Sequence, residues 1–260
     1  MIRRVLPVSV LLGFLICAVL PLIAVGVFGF SSATTGFTLE PVLELLLTKR
    51  AIEPIMNTVF LTLLTVVVGY LLVVPSLVWM HLRSPRSLPL AETASLLPYV
   101  IPAIALVGGV NLVLRPLFPG FFVSLYSLVP FYVLMTLPFL YRTVDSGLRS
   151  LELPTLFVAG ASLGASPMRT FFTVVLPNLR ASMISGSLLV VMMASGELVM
   201  ASLLLHNTFP TLLIQLGQSQ VRLAAALSFI TIVGSWLIMA GMVVASRNRT
   251  AGSRTVPLVL

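Results

Sequence analysis

The sequence predicts an all-α membrane protein of six transmembrane helices, with both termini in the cytoplasm and a cytoplasmic loop between helices four and five. Three observations carry that prediction. Hydrophobic residues make up 58% of the 260-residue chain and charged residues only 8%, against about 25% charged in a soluble domain. Several apolar runs reach the roughly 20 residues that a helix rising about 1.5 Å per residue needs to cross about 30 Å of hydrocarbon. With the amino terminus inside, eleven basic residues fall on inner segments and four on outer ones, the asymmetry expected of cytoplasmic loops. The net charge of +8 therefore points to inner loops at a lipid bilayer, with no nucleic-acid partner.

The elements follow in order as one transmembrane domain over residues 1–246 and a basic tail over 247–260. Arg3 and Arg4 precede an apolar run over 5–30, too long for a signal-peptide core, so it reads as a retained first span. Cys17 lies within that run; the apolar stretch continues past it, which excludes lipoprotein processing, and a lone cysteine excludes an intrachain disulfide. Residues 31–53 form a polar loop in which Leu43, Leu46 and Leu47 suggest a short helix. Span two covers about 54–80, with Asn57, Thr58, Thr62 and Thr65 as polar contacts between helices and Gly69 permitting close approach. Arg83 and Arg86 mark the next turn as cytoplasmic.

Span three, about 91–114, holds Pro98, Pro102 and the pair Gly108-Gly109, so it is bent, with freed carbonyls facing protein or water. Span four covers about 121–141, span five 183–205 and span six 223–245. Between spans four and five, residues 151–181 form the one long interval of the second half that is not continuously apolar, bracketed by Pro154 and Pro177. It reads as two short helices. The break falls at Gly164-Ala165-Ser166-Pro167, with Ser166 capping the second helix and Pro167 in its first turn. That helix, 168–175, presents an apolar side of Phe171, Phe172, Val174 and Val175. A surface-lying structural linker is the plain alternative for this stretch.

Glu197 is the one carboxylate well inside a predicted span, where a charge is costly and faces the bundle interior or an aqueous cavity. It is a candidate for a translocation path, with Asn111 and Gly108 as companions; a helix contact is the competing role. No catalytic constellation is present. No phosphate loop ending in Gly-Lys-Ser or Gly-Lys-Thr occurs, so ATP would be handled by another chain. Ser195 has no neighbouring histidine in sequence, and His81 and His206 lie at membrane edges without companion ligands, so no metal site is expected.

The run Ala159-Gly160-Ala161-Ser162-Leu163-Gly164-Ala165-Ser166-Pro167, followed by Phe171 and Val174 and then Leu176-Pro177, resembles the EAA loop of ABC-importer permeases. The family pattern is Glu-Ala-Ala, a glycine four residues after the second alanine, and a later hydrophobic-Leu-Pro. Gly164 matches the glycine, Leu176-Pro177 the close, and Ala159-Gly160 the small pair, while Val158 stands where the family has glutamate. The resemblance implies a binding-protein-dependent importer of the bacterial inner membrane, with this chain binding no cofactor. ATP and magnesium would sit on a cytoplasmic ATPase dimer, which the loop would contact as a coupling helix. A second permease subunit, identical or homologous, and an extracytoplasmic solute-binding protein would complete it. Residues 195–204 and Phe209-Pro210 are similar to the branch importing polyamines, ferric iron, thiamine or aminoethylphosphonate; a polyamine or similar small cation is the expected solute. A secondary transporter, requiring paired broken helices, and a scaffold without transport are the alternatives.

Overall fold

The computed structural model describes residues 2–32 and 36–251. Almost every element is helical. Helix α1 covers Ile2–Phe30, and a two-residue antiparallel ladder pairs β1 (Ser31–Ser32) with β2 (Gly36–Phe37). Helix α2 covers Glu40–Leu46 with Pro41 in its first turn, as the leucine spacing predicted, but it buries Val42 and Leu45 while Leu43 and Leu47 are exposed. Helix α3 runs Lys49–Arg83, longer at both ends than 54–80, with Pro54 and Pro75 inside it.

The expected third span at 91–114 is two helices, α4 (Leu88–Val100) and α5 (Ala103–Val113), meeting at 89°. The cause is local. The ring of Pro102 disfavours helical geometry at the residue before it, and Ile101 is extended, with ψ 122°. Helix α6 (Pro119–Val123) and a 3-10 turn lead to α7, Leu128–Arg149, which starts later than 121 and continues as helix past 141. Then come α8 (Leu153–Ser162), α9 (Pro167–Thr170), a π-helical turn over Phe171–Val175, α10 (Leu176–Ser195), α11 (Val199–Leu203), α12 (Phe209–Ser219) and α13 (Val221–Ala251). Arg254 and the end of the tail lie outside the described residues, as do the side chains of Arg3, Arg4, Arg247 and Arg249.

Helices spanning Gly13–Phe30, Lys49–Arg83, Leu125–Arg149 and Pro167–Ser195 are long and apolar enough to cross a membrane, and the bent pair α4–α5 would add a fifth. The chain has the build of a helical membrane protein.

Contacts divide the chain into two compact units, Met1–Lys49 with Leu212–Leu260, and Arg50–Thr211. In the first, α1 packs on α13. Gly26 lies against the Phe229 ring and Gly29 against the backbone of Ala226, so neither position has room for a side chain. Phe30 packs between Phe37, whose ring is tilted at 5.3 Å between centroids, and Phe229, which meets it edge to face at 5.9 Å.

In the second unit, α7 and α10 approach closely because glycines allow it: Gly147 faces Leu179 and Ser182, and Gly186 faces Thr143 and the Tyr70 hydroxyl. Small residues at such crossings are how helices associate where lipid removes the hydrophobic drive. Two apolar cores result. One joins Leu61, Val107, Leu128, Tyr132, Met200 and Leu204. The other joins Val74, Leu77, Leu140, Val144, Leu148, Leu153, Val175 and Leu179.

Candidate functional site

The stretch 151–181 folds as a helical hairpin whose local chemistry sets its shape. Helix α8 ends in a Schellman cap: the Ala165 N–H donates to Gly160 O at 2.9 Å and the Gly164 N–H to Ala161 O at 3.0 Å. That pattern requires a left-handed residue at the reversal, and Gly164 has φ +75°. The Ser166 hydroxyl accepts from Arg169 N at 3.3 Å and Pro167 opens α9. These features match the break and cap read from sequence.

The second half differs. Residues 168–175 do not end at Pro177; they run on into α10, so the proline bracket is absent on that side. Proline has no N–H to give to residue 173 and its ring crowds that carbonyl. The π turn relieves this by a register slip, with the Leu176 N–H reaching back five residues to Phe171 O.

The candidate residues sort into three groups. Leu153, Phe157, Phe171, Val175 and Leu176 belong to or pack against the apolar core of this end of the unit, anchoring both arms. Phe172, read from sequence as part of the same apolar side, points out. Gly160 faces the other arm: a Cβ there would overlap the hydroxyl of buried Thr170, so its smallness serves the crossing of α8 with α9. Val158, Ala159, Ala161, Leu163, Gly164, Ser166, Pro167 and Pro177 are exposed. Val158 is 70% exposed, Leu163 86% and Met168 66%, so the tip presents apolar side chains on a fixed frame.

Beneath the hairpin lies a polar cluster that the sequence reading did not contain. Asp145, only 7% exposed, accepts from His81 Nε2 at 2.8 Å and from Arg149 Nε at 2.7 Å. His81 thus ties the end of α3 to α7. Arg142 pairs with Glu92 of α4 at 3.5 Å. The i, i+4 spacing of Asp145 and Arg149 was readable as a helical pair; the histidine, 64 residues away, was not.

The candidate path residues are placed differently from expectation. Glu197 does not lie within a continuous span. The helix stops at Ser195, and the Glu197 carboxylate accepts from Met200 N at 3.2 and 3.3 Å, capping α11. Asn111 Oδ1 accepts from Arg115 at 3.4 Å, and Gly108 faces open space on α5. Helix α11 packs on α5, but no hydrogen bond joins Glu197 to Asn111 among the described residues. At that end of the unit a loop is held by Asn57 Nδ2 donating to Asn207 O at 2.9 Å, Phe209 N donating to Thr58 Oγ1 at 2.8 Å, and His206 Nε2 and Ser127 Oγ sharing a hydrogen bond at 3.1 Å. No group of three metal-ligating side chains occurs among the described residues. No protein-family model matches the chain.

Proposed function

We propose that the chain is the membrane subunit of an ATP-driven, binding-protein-dependent importer, and that the 153–170 hairpin is its contact with a cytoplasmic ATPase. The observation that carries this reading is the apolar tip of Val158, Leu163 and Met168, held out on two arms anchored in the core. A rigid arm transmits a push from its tip to α7 and α10, which a tethered linker would absorb. Two such chains, two ATPase subunits holding ATP and magnesium, and an external solute-binding protein would form the working assembly in a bacterial inner membrane. Valine at position 158 makes docking depend on shape and apolar area in place of a charge-assisted bond. A polyamine or similar small cation is the preferred solute, because the Glu197 carboxylate remains partly exposed; ferric iron, thiamine and aminoethylphosphonate are the competitors to screen.

Co-expression with candidate importer ATPase subunits from the same genome tests the contact. Stoichiometric copurification, abolished by Ala161→Asp or Leu163→Asp at the exposed tip, is expected; an ATPase retained at wild-type level by both variants would refute the reading. Val158→Glu should keep or strengthen the complex. A second reading has one observation in its favour: the breaks at Ile101-Pro102 and Gly196–Leu198, with α11 packed on α5, are of the kind that the discontinuous helices of an ATP-independent transporter would need. Solute uptake by proteoliposomes of this chain alone, driven by an ion gradient, would favour it.

A further inference from the structure

The unit built from α1, α2 and α13 contains a cavity that the importer reading does not use. Its volume is about 590 Å³, and it is lined by Phe28, Ser31, Thr38, Val42 and Gln220, among others, with Arg222 as its one charged side chain among the described residues. Arg222 is held in place: it donates to Ser31 O at 3.3 Å and its guanidinium lies 5.9 Å from the centroid of the Phe28 ring. Among the described residues those contacts leave most of its five N–H donors unspent. The hydroxyls of Ser31 and Thr38 and the Gln220 amide add uncharged polar groups. The cavity opens where α1 ends, and α1 carries an exposed apolar stripe of Ile16, Leu20, Ile23 and Val27 leading up to exposed Phe28.

We propose that this cavity binds the phosphate headgroup of an anionic phospholipid, with the acyl chains lying along the α1 stripe. Guanidinium is suited to phosphate because its planar fork matches two oxygens at once. No carboxylate lines the cavity among the described residues, which leaves the arginine charge to be balanced by the ligand and favours a net-anionic lipid over a zwitterionic one. The apolar stripe favours a lipid over free phosphate. A basic side chain pocketed between helices at the bilayer edge is a physical basis for headgroup recognition. The proposal does not depend on the importer reading.

The test uses the full chain in neutral detergent, with binding followed by native mass spectrometry and by thermal shift. Phosphatidylglycerol, phosphatidylcholine of the same chains and inorganic phosphate are titrated in parallel. Phosphatidylglycerol is expected to bind and stabilise, with the other two at least about tenfold weaker. The Arg222→Gln variant should lose about tenfold in affinity for phosphatidylglycerol, the loss of one charge-assisted contact. Arg222→Lys should retain part of it, and Arg86→Gln, an exposed arginine outside the cavity, should retain all. Equal protection by inorganic phosphate would make this a soluble-anion site, and equal binding of phosphatidylcholine would remove the charge argument. Undiminished binding by Arg222→Gln would place the lipid elsewhere. Any of these, or no binding at all, overturns the proposal, and the wild-type titrations decide it even where a variant fails to fold.

Discussion

Gly164 is where a single residue decides the shape of the candidate site. Its φ of +75° lies in the region that costs other residues roughly 1–2 kcal/mol, so Gly164→Ala should lower the apparent melting temperature and weaken ATPase copurification together. Gly160 acts through contact. Gly160→Ala should splay the hairpin by pushing on the Thr170 hydroxyl, and Thr170→Ala should relieve it; a double-mutant cycle on thermal stability is expected to show coupling between the two positions. Additive effects would show that the arms do not cross as described. Asp145 is the converse case, a buried acceptor with both oxygens engaged. Asp145→Ala leaves His81 and Arg149 without their carboxylate and should cost about 1–3 kcal/mol in chemical denaturation. Thr62 is a buried hydroxyl without a hydrogen-bond partner among the described residues, so Thr62→Val should be neutral or stabilising in thermal melts.

At the scale of elements, the loop between α11 and α12 joins several segments through hydrogen bonds, and His206 makes it sensitive to acid. Burial holds the His206 imidazole below its ordinary pKa, with the Arg115 charge acting the same way and a hydrogen bond to the Phe122 backbone opposing both. The folded chain therefore binds fewer protons than the unfolded one below the unfolded value of about 6.5. Stability present above that pH is lost as the pH falls through and below it. Melting curves taken between pH 8 and pH 5 should show this loss, and His206→Gln should flatten it; an unchanged profile in that variant would assign the acid sensitivity elsewhere. The break between α10 and α11 belongs to the same scale. Gly196 ends one helix and Glu197 caps the next, so a carboxylate that reads as a charge in a span is also part of a helix terminus.

At the scale of the larger unit, the hairpin and the His206 loop lie at opposite ends of α7: Ser127 before its first turn meets His206, while Leu148 near its last turn packs with the Leu153 arm. Its 22 residues span about 33 Å at about 1.5 Å per residue, close to a hydrocarbon thickness of about 30 Å. In a Cys17→Ser background, Leu163→Cys and Asn207→Cys should therefore react with an impermeant maleimide from opposite sides of sealed vesicles. Labelling from the same side would exclude a crossing by α7.

The amino-acid sequence by itself determined what depends on neighbours along the chain: the helical membrane class, the Gly164 reversal, the Ser166-Pro167 start and a bend in the segment that holds Pro102. Composition, φ preference and capping act within a few residues, so they are legible without a fold. Tertiary structure decided the rest. Whether a glycine serves a partner or an intramolecular crossing, as at Gly160, depends on what the other arm brings to it. The carboxylate partner of His81 comes from 64 residues away. The angle between α4 and α5, the passage of helix through Pro177 and the end of a helix at Ser195 follow from how backbone groups are satisfied once elements are packed. Periodicity along the chain records which residues favour a helix, and only packing records where that helix must bend or stop.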